Sequence, residues 1–402
     1  MGLKRFIASR LSRRGNGIAL VSVALSVAVM IVAVAVTSGF RREIRSKATG
    51  FMGSVVLVPP GQNPVNESYP FDSRLSYLDK LLEIPGVESV CGVGYRSGII
   101  KSGDEIHGLY FKGVDSLYDF SFFRSALVSG DLPQVGGRIS SDILISQRLA
   151  DKLHFATGDR LTAYFVGEEV RARNFTVCGI YDVRLEELDE TFAVVDLRQI
   201  RRVSGWEPYD VSCMEIRISP DSDIEQAKVA VEEVEMFHSD EEQGLFALSV
   251  KDIFSNLFDW LALLDLNVVM VLVLMMLVAG FNMISALLII LFRKIPMIGT
   301  LKSLGMTGSQ VTRTFLLRAS SIVLRGMLWG DALALVLCFI QQRWHIIRLD
   351  PESYFVAYAP IHIEWLSVLI VNLLSFAIIM LLLSLTSRFI SRVDPARTMR
   401  AE

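Results

Sequence analysis

The chain has 402 residues, 51% hydrophobic and 21% charged, with a formal net charge of −3 and a mean hydropathy of +0.43. It is too apolar for an ordinary soluble protein and too charged to be built of membrane spans alone. Disordered, collagen-like and disulfide-rich secreted chains are excluded as well.

In chain order, residues 1–17 form a basic segment with Lys4, Arg5, Arg10, Arg13 and Arg14. An uncharged run of 26 residues follows, Gly15–Phe40. About 20 apolar residues cross roughly 30 Å of hydrocarbon, so a first transmembrane helix is expected over 18–40. Ala33-Val34-Ala35 resembles a signal-peptide cleavage site, but the apolar run continues past it to Phe40, which favours an uncleaved anchor.

Residues 41–260 read as a large α+β domain, long enough for its own core and for two subdomains with a β-rich middle at about 116–211. Strands are expected at Ser54–Val58, Val87–Val93, Ile106–Val114, Leu161–Phe165, Phe175–Val183 and Thr191–Asp196. Helices are expected at Asp72–Leu82, Ile143–Leu153 and Asp223–Phe237, from apolar residues at helical spacing.

Further spans are expected at 261–292, 319–341 and 365–387, joined by a 293–318 loop and a short 342–364 loop and followed by a 388–402 tail. The third contains Arg325 and Asp331. Each costs about 2.5–3.5 kcal/mol at a helix centre on insertion scales, so Asp331 is expected to face protein or water. The fold class is thus a membrane protein of four transmembrane helices, with the α+β domain between the first and second.

Charge segregation orients the chain. Residues 1–17, 293–318 and 388–402 together carry 14 Lys+Arg against 2 Asp+Glu, while 41–260 carries 23 against 36. Both termini and the 293–318 loop are expected in the cytoplasm and the large domain outside.

No catalytic constellation emerges. The chain has no Gly-Lys pair and hence no phosphate-binding loop of that type. Gly92, Gly94 and Gly98 miss the dinucleotide fingerprint by one residue and fall in a predicted strand and hairpin. The five histidines lack metal-ligand spacing, and His238 beside Asp240, Glu241 and Glu242 reads as a solvated acidic loop. Cys91, Cys178 and Cys213 lie in the large domain without a C-x-x-C, which leaves one bridge among the three open. Glu186, Glu187, Asp189 and Glu190 read as surface charge.

Polar residues inside spans are stronger candidates. Ser22 and Ser26 share a face of the first span, and Asn282 and Ser285 share a face of the second with Ala279 and Ala286. Small-residue packing with interhelical hydrogen bonds and a substrate or gate lining are the two readings.

The sharpest segment is Arg293–Arg318. Ile298, Leu301 and Leu304 form an apolar stripe, Gly305 is placed as a helix C-cap, and Thr307 or Ser309 can cap the next helix. A short helix there suits the transfer of motion from a soluble motor; the alternative is a basic loop resting on anionic headgroups.

The sequence resembles the transmembrane subunits of lipoprotein-releasing (Lol-type) ABC transporters, in the superfamily of the macrolide exporter and the cell-division permease. The resemblance covers essentially the whole chain. It is carried by RFIASR (Arg5–Arg10), TSGFRREIRSKATGFMGSVVL (Thr37–Leu57), IPGVESV (Ile84–Val90) and FKGVD (Phe111–Asp115). FTVCGIYDV (Phe175–Val183), FNMISALLIILFRK (Phe281–Lys294), IGTLKSLGMTGSQVTRTFLL (Ile298–Leu317), DPESYFVAYAPIHIEW (Asp350–Trp365) and VDPARTMRAE (Val393–Glu402) continue it.

The resemblance implies a permease in the bacterial inner membrane that is not itself an enzyme. It would bind no cofactor of its own, ATP and Mg being held by a separate ATPase subunit. It would pair with a second permease subunit, identical or not, and extract lipoprotein cargo among the inner-membrane lipids; no nucleic-acid partner is implied. The ATPase would seat on a coupling helix comprising Arg293, Lys294, Met297, Ile298, Gly299, Leu301, Lys302, Leu304 and Gly305. Met297 stands where the family usually has an acidic residue, which puts the docking contacts in doubt.

Other members suggest two further functions, control of a cell-wall hydrolase or macrolide and peptide export. One branch of the family recruits a soluble carrier through a long hook; here Gly167, Glu168 and Glu169 leave room only for a short turn, so capture through that loop is not expected.

Overall fold

The computed structural model describes residues 17–64, 69–102, 105–167, 169–220, 222–238, 244–293, 305–350 and 354–390. The chain divides into a membrane unit (1–42, 260–348, 358–402) and a large domain (43–259 with 349–357).

Helix α1 runs unbroken from Gly17 to Met52, past the expected span end at residue 40. In its last turns Ile44, Ala48, Phe51 and Met52 are buried, a stripe at helical spacing that fixes this end in the large domain's core. Gly53 terminates the helix with φ +78°, a conformation that a Cβ disfavours.

β1 (Val55–Val58) is buried throughout, and β2 (Phe71–Asp72) and α2 (Leu78–Glu83) follow. The expected helix from Asp72 is therefore shorter. The Asp72 carboxylate accepts the backbone N–H of Arg74, two residues on, which makes a turn in place of a helix cap. β3 (Val87–Ser102) and β4 (Glu105–Val114) form a long antiparallel hairpin.

α3 (Ser121–Ala126), β5 (Leu127–Gly130), β6 (Asp142–Ser146) and α4 (Gln147–Leu153) come next. This corrects the single helix expected over Ile143–Leu153. Ile143, Leu144 and Ile145 are consecutive and fully buried, which a strand covered on both faces allows and one helix face does not. Ser146 then caps α4 by accepting the N–H of Leu149.

β7 (Arg160–Phe165), β8 (Arg171–Tyr181), α5 (Glu186–Asp189), β9 (Phe192–Asp196), α6 (Leu197–Ser204), β10 (Asp210–Val211) and β11 (Cys213–Ile218) follow. α7 (Ile224–His238), β12 (Phe246–Ser249) and α8 (Val250–Ile253) complete the main body of the domain.

β2 and β10 pair with each other, and the other ten strands build one mixed sheet with two parts. β12, β1, β11 and the first half of β3 lie side by side. The second half of β3 enters a closed pairing circuit with β4, β9, β6, β8 and β7, which returns to β3. Closure removes exposed strand edges. Its core holds Ile100, Phe111, Phe165, Phe175 and Val177. Gly98 lets the Phe111 and Phe165 rings approach to 4.8 Å, since a Cβ there would meet both. The β-rich middle therefore begins near Gly94 rather than at 116, because the β3–β4 hairpin supplies two of its strands.

In the membrane unit, α9 (Ser255–Arg293), α10 (Gly308–Trp344) and α11 (Trp365–Ile390) join α1. All four helices are long and apolar enough to cross a membrane. Their shared core includes Val23, Val27, Ile31, Met276, Ala279, Val323, Met327 and Ile379. Leu, Val and Phe side chains of α9, α10 and α11 point outward, as lipid-facing surfaces do.

Candidate functional site

Two of the polar span residues meet. Asn282 Nδ2 donates to Ser22 Oγ at 2.6 Å, joining α9 to α1. Ser26, one turn along, is buried. Ser285 turns back instead and donates to the Phe281 carbonyl of its own helix at 3.0 Å. Asp331 is half-buried on α10 and accepts from Asn372 Nδ2 of α11 at 3.1 Å, so it faces protein. Arg325 is exposed on α10. At the other end of the spans, Arg41 pairs with Asp265 at 2.5 Å and Arg42 bonds the His362 ring at 3.0 Å.

Glycines that the sequence reading passed over bring the helices together. Gly326 and Gly330, one turn apart on α10, lie directly on α1. A Cβ at Gly330 would stand 2.6 Å from the Ala24 carbonyl oxygen and 2.9 Å from Val27 Cβ; one at Gly326 would stand 2.9 Å from Val23 Cβ. This is the small-xxx-small contact by which membrane helices approach backbone to backbone. The Gly-x-x-x-Gly spacing, Gly326-Met-Leu-Trp-Gly330, was the available signal. Gly39 serves the same end, since its Cβ would lie 2.3 Å from the Pro360 carbonyl oxygen, and His362 N–H donates to the Ala35 carbonyl at 3.0 Å.

Of the segment expected to couple to an ATPase, Arg293 ends α9, while Lys294, Met297, Ile298, Gly299, Leu301, Lys302 and Leu304 lie outside the described residues. Gly305 adopts φ +89°, the left-handed conformation of a glycine C-cap. Thr307 caps α10 in a reciprocal box with Gln310.

The turn after β7 is short. Phe165 pairs with Arg171, so residues 166–170 alone close the hairpin. Arg96 donates to the Val166 carbonyl at 2.9 Å and steadies it. Val166, Gly167, Glu169 and Val170 are exposed; Glu168 lies outside the described residues.

Sequence reasoning missed two buried charged groups. The first is Lys112 on β4, fully buried, with Glu215 on β11 at 3% exposure. Their Nζ to Oε2 distance is 2.9 Å. The Tyr95 hydroxyl donates to the other carboxylate oxygen at 2.8 Å. Burial pulls the Lys112 ammonium towards neutrality, but Glu215 and Tyr118 outweigh it and hold the group above its ordinary value. Burial pushes the Tyr118 phenol and the neighbouring Cys91 thiol up to about 12. The signal was a charge inside an apolar strand pattern, in FKGVD and in CMEIRI.

The second corrects the reading of Asp189 as surface charge. Asp189 is 4% exposed and accepts the N–H groups of Val183 and Leu185 at 3.3 and 3.2 Å. Burial raises its carboxyl to about 6. Glu190 pairs with Arg148 at 2.9 Å. The Cys91 thiol beside the first group is kept protonated by its burial, and among the described residues no cluster of His, Cys, Asp and Glu could hold a metal ion. The described cysteines are all free thiols, and Gly92, Gly94 and Gly98 all lie within β3.

Residues 17–234 match the MacB-like periplasmic core domain, and residues 269–395 match the FtsX-like permease C-terminal family. Among curated proteins, the chain is 22% identical to the lipoprotein-releasing system transmembrane protein LolE of Haemophilus influenzae, over 94% of this chain and 92% of that protein. It is 21% identical to the corresponding LolC of Neisseria meningitidis, over 96% and 94%. Among solved structures, it is similar to the periplasmic region of MacB from Actinobacillus actinomycetemcomitans, with 13% identity, 52% of this chain and 96% of that one covered, and a TM-score of 0.34. It is also similar to the extracellular domain of the ABC-type transporter YknZ from Gram-positive bacteria, with 15% identity, coverage of 49% and 98%, and a TM-score of 0.34.

Proposed function

The chain belongs to the family of the MacB-like periplasmic core domain, and from that premise we propose that it is the transmembrane subunit of an ATP-driven transporter that extracts lipoproteins from the inner membrane. The observation that carries this reading is the similarity to lipoprotein-releasing transmembrane proteins along 94–98% of the chain. It thus embraces the spans, the large domain and the segment between α9 and α10 together.

In this reading a separate ATPase seats on the coupling segment at 293–305, with Leu301 and Leu304 as its apolar contact. A second permease subunit completes the membrane part, and both termini lie in the cytoplasm, a placement the 14-to-2 charge balance supports. ATP-driven closure moves the large domains and lifts the lipid-anchored cargo out of the bilayer. The polar span contacts Asn282–Ser22 and Asn372–Asp331 hold the helices in register during that motion. The short hairpin at 166–170 supports a division of labour in which a carrier, where one is used, is met by another subunit or surface.

Depletion of the protein tests this reading. Lipoproteins should accumulate in the inner membrane while other exported proteins are unaffected. Unchanged lipoprotein distribution after complete depletion would refute it.

A further inference from the structure

We propose that Lys112 is a positioning residue, the anchor through which the end of α1 is gripped in the large domain and its displacement is delivered to the β-sheet. The inference rests on the transport reading above, because it concerns how motion reaches the cargo-handling domain.

The geometry is specific. Lys112 Nζ donates to the carbonyl oxygen of Phe51, in the last turn of α1. It donates also to Glu215 Oε2 at 2.9 Å, while the Tyr118 hydroxyl donates to the same Phe51 carbonyl at 3.5 Å. The Lys112 charge lies 5.0 Å from the Phe51 ring centroid and 4.8 Å from that of Tyr118, within cation–π range.

One side chain therefore ties a helix terminus to three parts of the domain. Lys112 itself belongs to β4. Glu215 belongs to β11 and sits opposite Val56 of β1, the strand into which the chain turns after Gly53. Tyr95, the second partner of Glu215, lies just where β3 leaves its pairing with β11 for its pairing with β4. The anchor thus stands at the junction of the two parts of the sheet.

Stability alone does not call for such a group. A buried ion pair loses hydration on both ions, and apolar residues of the same volume often hold a fold equally well. What apolar packing lacks is direction: Ile44, Ala48 and Met52 can slide on their neighbours at little cost. A cation hydrogen-bonded to a helix carbonyl cannot slide without leaving a buried charge unpaired. The positive charge also matches the negative end of the helix dipole. Because α1 has no break from Gly17 onward, movement imposed on its earlier turns is carried to this end.

The test uses the complete transporter, with its ATPase and second permease subunit, reconstituted in lipid vesicles. The double variant Lys112→Met/Glu215→Leu removes both charges at similar volume. ATP hydrolysis and assembly should persist, while lipoprotein released per ATP falls at least five-fold, a ratio that a merely stabilising role would leave unchanged. Tyr118→Phe removes one hydroxyl and keeps the ring; release per ATP should fall two- to three-fold. Wild-type release per ATP in the double variant overturns the proposal, and if that variant does not assemble, the same result for Tyr118→Phe overturns it.

A spin label at Val170→Cys, an exposed site, reads domain motion without cargo. In the otherwise wild-type complex its spectrum should change on adding ATP, and in the anchor variants it should not. If the wild-type complex shows this change but releases no lipoprotein, the transport reading fails and the label still decides the anchor. If wild type shows neither, the anchor is refuted too.

Discussion

Substituting Gly330 by alanine separates helix propensity from close packing. In an open helix the change stabilises by about 1 kcal/mol. Here the added Cβ would meet the Ala24 carbonyl oxygen at 2.6 Å and two atoms of Val27 at 2.9 and 3.1 Å. Ordinary C–H···O contacts begin at about 3.3 Å, so α10 must back away from α1 by roughly 0.7 Å along a contact that is otherwise fully packed. Overpacking of this size costs about 1–3 kcal/mol, and the spread of Val23, Val27 and Met327 over the interface puts it in the upper half. The expected net loss is about 1–2 kcal/mol.

Gly280→Ala is the internal control. Its Cβ would meet only the end of the Leu382 side chain at 2.3 Å, the next atom lying at 3.7 Å. A rotamer change relieves that clash for about 0.5–1.5 kcal/mol, so propensity and strain nearly cancel. The assay is unfolding of the detergent-solubilised protein by titration with denaturing detergent. Gly330→Ala should be clearly less stable than Gly280→Ala. Equal or reversed stabilities would refute the claim that α1 and α10 meet backbone to backbone.

Three other outcomes are expected. A double-mutant cycle with Ser22→Ala and Asn282→Ala should give a coupling of about 0.5–1.5 kcal/mol in the same assay, and strict additivity would show that the 2.6 Å contact carries no energy. Asp189 has a folded-state carboxyl near 6 against an ordinary value near 3.9. The folded protein therefore binds the extra proton between about pH 4 and 6, and this stabilisation is present below that window and lost as pH rises through 6. Relative to wild type, Asp189→Asn should accordingly gain up to about 3 kcal/mol between pH 4 and pH 8, and a pH-independent difference would contradict the burial argument. Photo-crosslinkers at Gly167 or Val170 should give no specific adduct with a soluble lipoprotein carrier, and an efficient adduct would sink the reading of the short hairpin.

The four spans and the domain between them were legible in the sequence because burial in lipid demands some 20 apolar residues in a row, a requirement written in consecutive positions. The β3–β4 hairpin, the tight turn after β7 and the Gly-punctuated start of α10 were legible for a similar reason, since turn and cap chemistry is local. The strand at Asp142–Ser146 was not. A short apolar run fits a helix face as well as a covered strand, and only pairing with β8 and β9, from positions about 35 and 50 residues away, decides between them.

The site residues divide in the same way. Ser22 and Asn282 stand out one by one as polar residues in apolar helices, but that they bond each other depends on how α1 and α9 are rotated about their axes. Lys112 and Glu215 were invisible as a pair, being 103 residues apart and each ordinary for a half-exposed strand. Their burial follows from the sheet closing over them and from the arrival of the α1 terminus above Lys112. Sequence determines what each segment needs to bury; which charges end up sharing that burial is settled only when the strands find their neighbours, because pairing across long separations has no local signature.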